Sequence, residues 1–217
     1  MGLEGTYLLT GGARGIGREL ALLLAQRGIF VHVLDIEPGK DTERIAHHQV
    51  DLTDTPALRE ACAHIGTIDG LIGNAGIMRR GTIYETSEDD YDALFAVNLK
   101  ANAMLLKHAD IRKSGLVLFT SSRHATSLPA NPGIYALTKS SLLSLARLIE
   151  HTRPDLTVKI ACPGPVATQM AESHEDTEAH AQMLREPRVI AEMIVELIES
   201  PHRILEFIAE TNSYRTI

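Results

Sequence analysis

"LLTGGARGIG", residues 8–17, places four glycines within seven positions directly behind an apolar run. The order is Gly11, Gly12, Gly15, Gly17, which is not a literal G-x-G-x-x-G, so the flanks decide its meaning. Upstream, "TYLLT" reads as a buried strand. Downstream, residues 16–27 set Ile16, Leu20, Leu23 and Leu24 on one stripe of a helix. A strand-to-helix turn of this kind uses Gly11 and Gly12 to bend sharply. Gly15 and Gly17 then let a pyrophosphate reach the first helical turn, whose free N–H groups and dipole favour an anion. The alternative, a flexible surface turn, is disfavoured by that strand–helix context.

The same alternation continues to the end of the chain. Apolar runs "IFVHVLD", "HHQVD", "GLIGN", "GLVLFTSS", "LTVKIACPG" and "RILEFIAE" read as further strands. Helical spacing recurs over 54–64, 88–108, 134–150 and 188–199. The pattern predicts an α/β fold, a doubly wound parallel sheet of about seven strands with helices on both faces. No repeat or linker interrupts it, so residues 1–217 read as one domain. A hydrophobic fraction of 44% and a net charge of −7 fit a globular protein and argue against nucleic acid or an anionic membrane as partner. No apolar run is long enough to span a bilayer, and two cysteines, Cys62 and Cys162, suggest reduced thiols and a cytoplasmic setting. The acids and histidines of "ESHEDTEAH" match no metal-ligand spacing, so no metal is expected.

Special residue types fall where the strands end, at the edge where doubly wound sheets bind ligands. Asp35 closes the second strand, 18 positions after Gly17. A carboxylate there accepts hydrogen bonds from ribose hydroxyls and repels a 2′-phosphate, which favours NAD over NADP despite the cation Arg14. In "IYALTK", Tyr135 and Lys139 stand four apart and share a helix face. A phenol ordinarily ionises at about pH 10, and a nearby ammonium lowers that value. Ser122, at the end of the fifth strand, is placed to hold a carbonyl oxygen beside Tyr135. His124 is a pocket candidate, and Met170 a candidate apolar wall.

Taken together these residues resemble the short-chain dehydrogenase/reductase family in its compact, single-domain branch. "TGGARGIG" is similar to the family's nucleotide turn, which assigns Gly11, Arg14, Gly15, Ile16 and Gly17 to the cofactor. Asp35 and Ile36 correspond to its NAD-selecting position and Asp51-Leu52 to its adenine pair. Asn74, Ala75 and Gly76 correspond to its "NAG" segment. Asn98 in "VNL" resembles the asparagine that holds a relay water, and Ser122, Tyr135 and Lys139 resemble the catalytic serine and Y-x-x-x-K. "PGPVAT" corresponds to the segment against the nicotinamide, with Pro165, Val166 and Thr168 as contacts. Two departures stand out: a shortened lid after Thr168, and an ending, "IAETNSYRTI", without the family's glycine-rich turn.

The resemblance implies an NAD-dependent oxidoreductase acting on CH–OH groups of a small alcohol or carbonyl substrate. Tyr135 would be its acid or base, Lys139 would tune Tyr135 and hold the nicotinamide ribose, and Ser122 would position the oxygen. A nucleotide-binding regulator or scaffold of the same fold is the alternative, which needs neither Ser122 nor Tyr135. Apolar residues in excess of one buried face, Leu94, Phe95, Met104, Leu105 and Leu106, predict pairing of the 88–108 and 134–150 helices in a homodimer or homotetramer.

Overall fold

The computed structural model describes residues 5–79, 81–127, 133–168, 184–208 and 211–217. Seven parallel strands form in chain order: β1 (Thr6–Thr10), β2 (Phe30–Asp35), β3 (Ile45–Gln49), β4 (Thr67–Gly73), β5 (Asp110–Thr120), β6 (Thr157–Cys162) and β7 (Ile204–Ile208). An eighth, β8 (Ser213–Thr216), runs antiparallel to β7 and lies beyond the seven that the apolar runs predict. It forms from a polar stretch, "SYRT", that no apolar periodicity marks. Asn212 enters it at φ +47°, supplying the left-handed residue for which glycine is the commoner choice.

The sheet order is β3-β2-β1-β4-β5-β6-β7-β8. The chain therefore winds outward from β1 to β3, returns to pair β4 with β1, and winds the other way. The crevice at that reversal, outside the carboxyl ends of β1 and β4, is where such sheets bind nucleotides.

Helices cover both faces. On one lie α1 (Gly15–Gln26) and, near the end of the chain, Pro187–Glu199; their leucines and isoleucines form one cluster with Leu9, Val33, Ile72 and Leu118. On the other lie α2 (Thr55–Ile65), α3 (Glu88–Phe95), α4 (Ala101–His108) and α5 (Ile134–Thr152). There Leu58, Leu105, Leu142 and Ile149 pack on Leu8, Leu71, Val117 and Phe119. The helix Pro187–Glu199 is α6.

The 88–108 stretch is not one regular helix. A π-turn, Ala96–Lys100, joins α3 to α4 and carries the buried Asn98. This corrects part of the assembly reading: Leu94 and Leu105 are core residues, 0% and 1% exposed, and Phe95, Met104 and Leu106 are partly buried. One extra residue per turn rotates the stripe that follows by about 100°, so a uniform helical period misplaces the outer face. The exposed apolar residues of these helices are instead Tyr91, Leu137 and Leu148.

Candidate active site

The glycine turn leaves β1 at Gly11, which has φ +70°; a Cβ there would stand 2.7 Å from the Cα of Ala75. Gly17 lies one turn into α1 against the Gly11 carbonyl and the Asn74 amide, where no side chain fits. Asn74 locks this arrangement. Its Nδ2 donates to the carbonyls of Thr10 and Gly11 (3.2 and 3.0 Å), and the N–H groups of Asn74 and Ala75 both donate to Thr10 Oγ1 at 3.1 Å. Asn74 thus shapes the cradle with its side chain already engaged. Sequence reading placed Thr10 at the end of the first strand but gave it no role in holding Asn74 and Ala75.

The cradle suits a dinucleotide. No side chain caps α1, and its first turn holds no acid, so its amino-terminal N–H groups face the crevice with the positive end of the dipole. Asp35 accepts from Ala13 N at 2.9 Å and Glu37 N at 3.0 Å, one bond on each oxygen. That ties the carboxylate to the glycine turn and leaves lone pairs for hydroxyl donors. Arg14 is paired with Glu37 at 2.8 Å. Ile36 is exposed. Asp51 lies in the turn after β3, accepting from Thr53 N and Oγ1 at 2.8 Å, and Leu52 is buried.

A second observation points to a ligand at the same edge. Among the described residues, Thr120 Oγ1 is buried with no hydrogen-bond partner, on a residue 5% exposed. By register Thr120 lies between Asn74 and Ala161, and it shares the α1/α6 face with Leu118. Buried hydroxyls are rarely left unpaired without a reason. Sequence reading also missed this one, since a threonine closing an apolar run carries no signature.

The chemical groups come from β5, the π-turn and α5. Tyr135 and Lys139, 8% and 3% exposed, project from the first turns of α5. Lys139 Nζ lies 5.9 Å from the Tyr135 ring centre and donates to Thr120 O at 2.9 Å. Ser122 lies close enough to the Tyr135 hydroxyl to lower its pKa, and its Oγ accepts from His124 N at 3.2 Å. Ser121 Oγ donates to Lys139 O at 2.8 Å, fixing α5 to the end of β5. The His124 ring stands edge-on to Tyr135, with centroids 5.8 Å apart. Gly76 packs over the lysine: a Cβ there would come 3.0 Å from Lys139 Nζ.

Asn98 is fully engaged. Its Oδ1 accepts from Ile77 N at 2.9 Å, and its Nδ2 donates to Ile77 O and Thr138 Oγ1, both at 3.0 Å. The side chain therefore clamps the segment after β4 to α5, one residue from Lys139. A relay water on Asn98 would have to use its main-chain carbonyl, which already accepts from Asn102 Nδ2 at 2.9 Å and keeps a second lone pair.

Burial dominates the protonation of the pair. It pushes the Tyr135 phenol up to about 12, against a lowering by the nearby Ser122 hydroxyl. It pulls the Lys139 ammonium down to about 8. In the free protein desolvation outweighs the lysine's influence, so Tyr135 is a proton donor at neutral pH.

Beyond β6, Pro165 and Val166 are buried, and Thr168 Oγ1 approaches Val166 O at 3.4 Å. A Cβ on Gly15 would lie 3.3 Å from Thr168 Cγ2, so this segment meets the glycine turn across the crevice. Met170 and the 169–183 stretch with His174 and His180 lie outside the described residues. Among the described residues no helix is long and apolar enough to cross a membrane.

Known proteins resemble this chain in sequence and fold. The family description short chain dehydrogenase matches residues 6–179. Oxidoreductase UcpA of Escherichia coli K12 is 32% identical, with 77% of this chain and 72% of that protein covered. An uncharacterized oxidoreductase of Thermotoga maritima is 30% identical over 75% of this chain and 72% of its own. A short chain dehydrogenase of Burkholderia cenocepacia, solved in complex with NADP, is 27% identical with a TM-score of 0.74, covering 88% of this chain and 89% of that one. A short chain dehydrogenase family protein of Francisella tularensis shares the fold at 21% identity, TM-score 0.83 and 92% coverage of each chain. The match along most of the chain agrees with the site built from its residues: this protein is an oxidoreductase of the short chain dehydrogenase family.

Proposed function

We propose that this protein transfers a hydride between NAD(H) and a small alcohol or carbonyl compound, with Tyr135, Lys139, Ser122 and Asn98 as its working residues. The observation that carries the reading is the burial of Tyr135 and Lys139 together beside Ser122, at the same sheet edge as the uncapped start of α1. A bound nicotinamide supplies the hydride chemistry. Ser122 holds the substrate oxygen against Tyr135. In the reducing direction Tyr135 gives its proton to that oxygen; in the oxidising direction it takes the alcohol proton. Lys139 favours the phenolate and has donors left for the nicotinamide ribose, while Asn98 keeps the segment after β4 in register with α5.

Two features support NAD as the preferred nucleotide. Asp35 presents negative charge where a 2′-phosphate would lie, and Glu37 offsets the nearby Arg14. The unbridged, buried Cys62 and Cys162 support a cytoplasmic setting. Exposed Tyr91, Leu137 and Leu148 support self-association through α3 and α5, as a dimer or tetramer.

Tyr135→Phe tests the assignment, since it removes one hydroxyl and leaves the ring's packing. NADH titration by fluorescence should change little, whereas turnover should fall by about 10²–10⁴-fold. A mutant that keeps more than about a tenth of native kcat would exclude Tyr135 as the proton-transfer group. Native protein that binds NADH and turns over nothing in a broad alcohol and carbonyl panel would favour the regulator reading.

A further inference from the structure

Three residues outside the catalytic group are anchored to successive residues of the turn that follows β6. Arg123, next to Ser122, donates its backbone N–H to Pro163 O at 2.9 Å. Tyr214 of β8 accepts at its hydroxyl from Gly164 N, 3.0 Å away. Arg185 donates its backbone N–H to Pro165 O at 3.1 Å, and its carbonyl accepts from Ala167 N at 2.9 Å. The turn thus gathers two arginines and a phenol beside the serine that holds the reacting oxygen.

Among the described residues, no carboxylate compensates the charge of this group. Arg185 sends its guanidinium to the carbonyl and Oδ1 of Asn212, both at 3.1 Å, and these are neutral acceptors. Arg123 is half-buried, and among the described residues no carboxylate pairs with it. The acid of the adjoining strands, Glu206, is taken by Arg215 through two bonds of 2.9 and 2.7 Å. In a chain of net charge −7, a half-buried arginine without an acid is unusual, because taking a cation out of water is unfavourable unless an anion meets it. Burial holds the Arg123 guanidinium below its ordinary value, with the Tyr214 phenol the one group that offsets it.

We propose that the substrate carries a carboxylate, and that Arg123 binds it while Ser122 and Tyr135 hold the reacting oxygen. This rests on the oxidoreductase reading above and narrows its substrate to hydroxy acids and keto acids. A guanidinium offers a planar pair of donors that matches a carboxylate, and the half-buried position strengthens the match. His124 lies against Tyr135, whereas Arg123 lies toward Tyr214, so the carboxylate end of the substrate would face β8. Arg185 reinforces the positive field from behind Tyr214.

The test compares three- to six-carbon hydroxy and keto acids with their methyl esters, using NADH- or NAD-loaded protein and titration calorimetry. Wild type should bind the best acid at least about tenfold more tightly than its ester, the usual scale of a charge-assisted hydrogen bond. Arg123→Met should remove that preference, Arg123→Lys should keep part of it, and neither should change NADH affinity. Equal binding of acid and ester, no binding of any acid, or a preference that survives Arg123→Met would overturn the proposal. Weaker NADH binding in Arg123→Met would reassign the arginine to the nucleotide and overturn it equally. If the protein binds neither NADH nor NADPH, the oxidoreductase reading fails instead. The acid–ester comparison on nucleotide-free protein by ligand-observed NMR still decides the role of Arg123.

Discussion

Lys139 and Lys159 are the two buried lysines of the described residues, 3% and 4% exposed, on neighbouring elements of one molecule. Both are shifted downward by burial. Their hydrogen bonds differ. Lys159, on β6, donates to the carbonyls of Leu197, Ser200 and His202 at 2.8, 2.7 and 2.7 Å, so all three ammonium hydrogens close the carboxyl end of α6. Lys139 makes one such bond, to Thr120 O. A saturated ammonium serves the fold, whereas a buried ammonium with donors to spare is held ready for something else. Burial alone does not separate a structural lysine from a functional one; the count of its partners does.

The strongest way to break this contrast is Lys159→Met. It leaves three carbonyls without their donor, and a buried acceptor left unsatisfied typically costs about 1–3 kcal/mol. Urea unfolding should show that loss, with nucleotide affinity of the folded fraction unchanged. A loss under about 1 kcal/mol would mean that water replaces the ammonium easily.

Lys139→Met should behave in the opposite sense. The native ammonium ionises at about 8 when folded and 10.5 when unfolded, so the unfolded chain holds more protons between those values. Wild-type stability relative to the mutant should therefore rise as pH passes from 8 to 10.5, by about 3 kcal/mol at about 1.4 kcal/mol per pH unit. Below pH 8 the unfavourable burial is fully present and the mutant should be at least as stable, though inactive. Parallel melting curves across pH check this; a constant difference would show that Lys139 is solvated. Above pH 10 both proteins should weaken, because Tyr135 keeps its proton to about 12 when folded.

Asp35 extends the contrast to an acid with some lone pairs used and others to spare. NAD should bind more tightly than NADP by about 1–3 kcal/mol, since juxtaposed like charges are costly once desolvated. Asp35→Ser combined with Ile36→Arg should narrow or reverse that gap. Equal affinities in the native protein would remove Asp35 from nucleotide selection.

Thr120 is the limiting case, with no partner for its hydroxyl among the described residues. Thr120→Val keeps the shape and removes the unpaired oxygen, so the free protein should gain up to about 1 kcal/mol. NADH should bind more weakly by a similar amount. A stability loss would indicate that the hydroxyl is already satisfied.

The sequence made the order of strands legible because buried strands are short apolar runs, each ending in a residue type that apolar packing does not demand. Gly11, Asp35 and Ser122 could be read for that reason, and Tyr135 and Lys139 from their spacing of four on one helix face. The π-turn could not, since one extra residue leaves no compositional trace, and with it went the orientation of Leu94 and Leu105. The roles of Thr10, Thr138 and Arg123 were equally silent. They depend on partners between 40 and 65 positions away, such as Asn98 for Thr138 and Ala75 for Thr10. The polar β8 carried no strand period at all.

That last strand has a consequence for association at high concentration. Without β8, the outer edge of β7 would offer a row of unpaired amides and carbonyls to any extended chain. Instead the rim is four residues long, polar and mostly exposed, with Arg215 on it. Short, charged rims are poor templates for strand addition. Sheet-to-sheet aggregation should therefore start elsewhere, and this side of the protein should stay solvated during refolding.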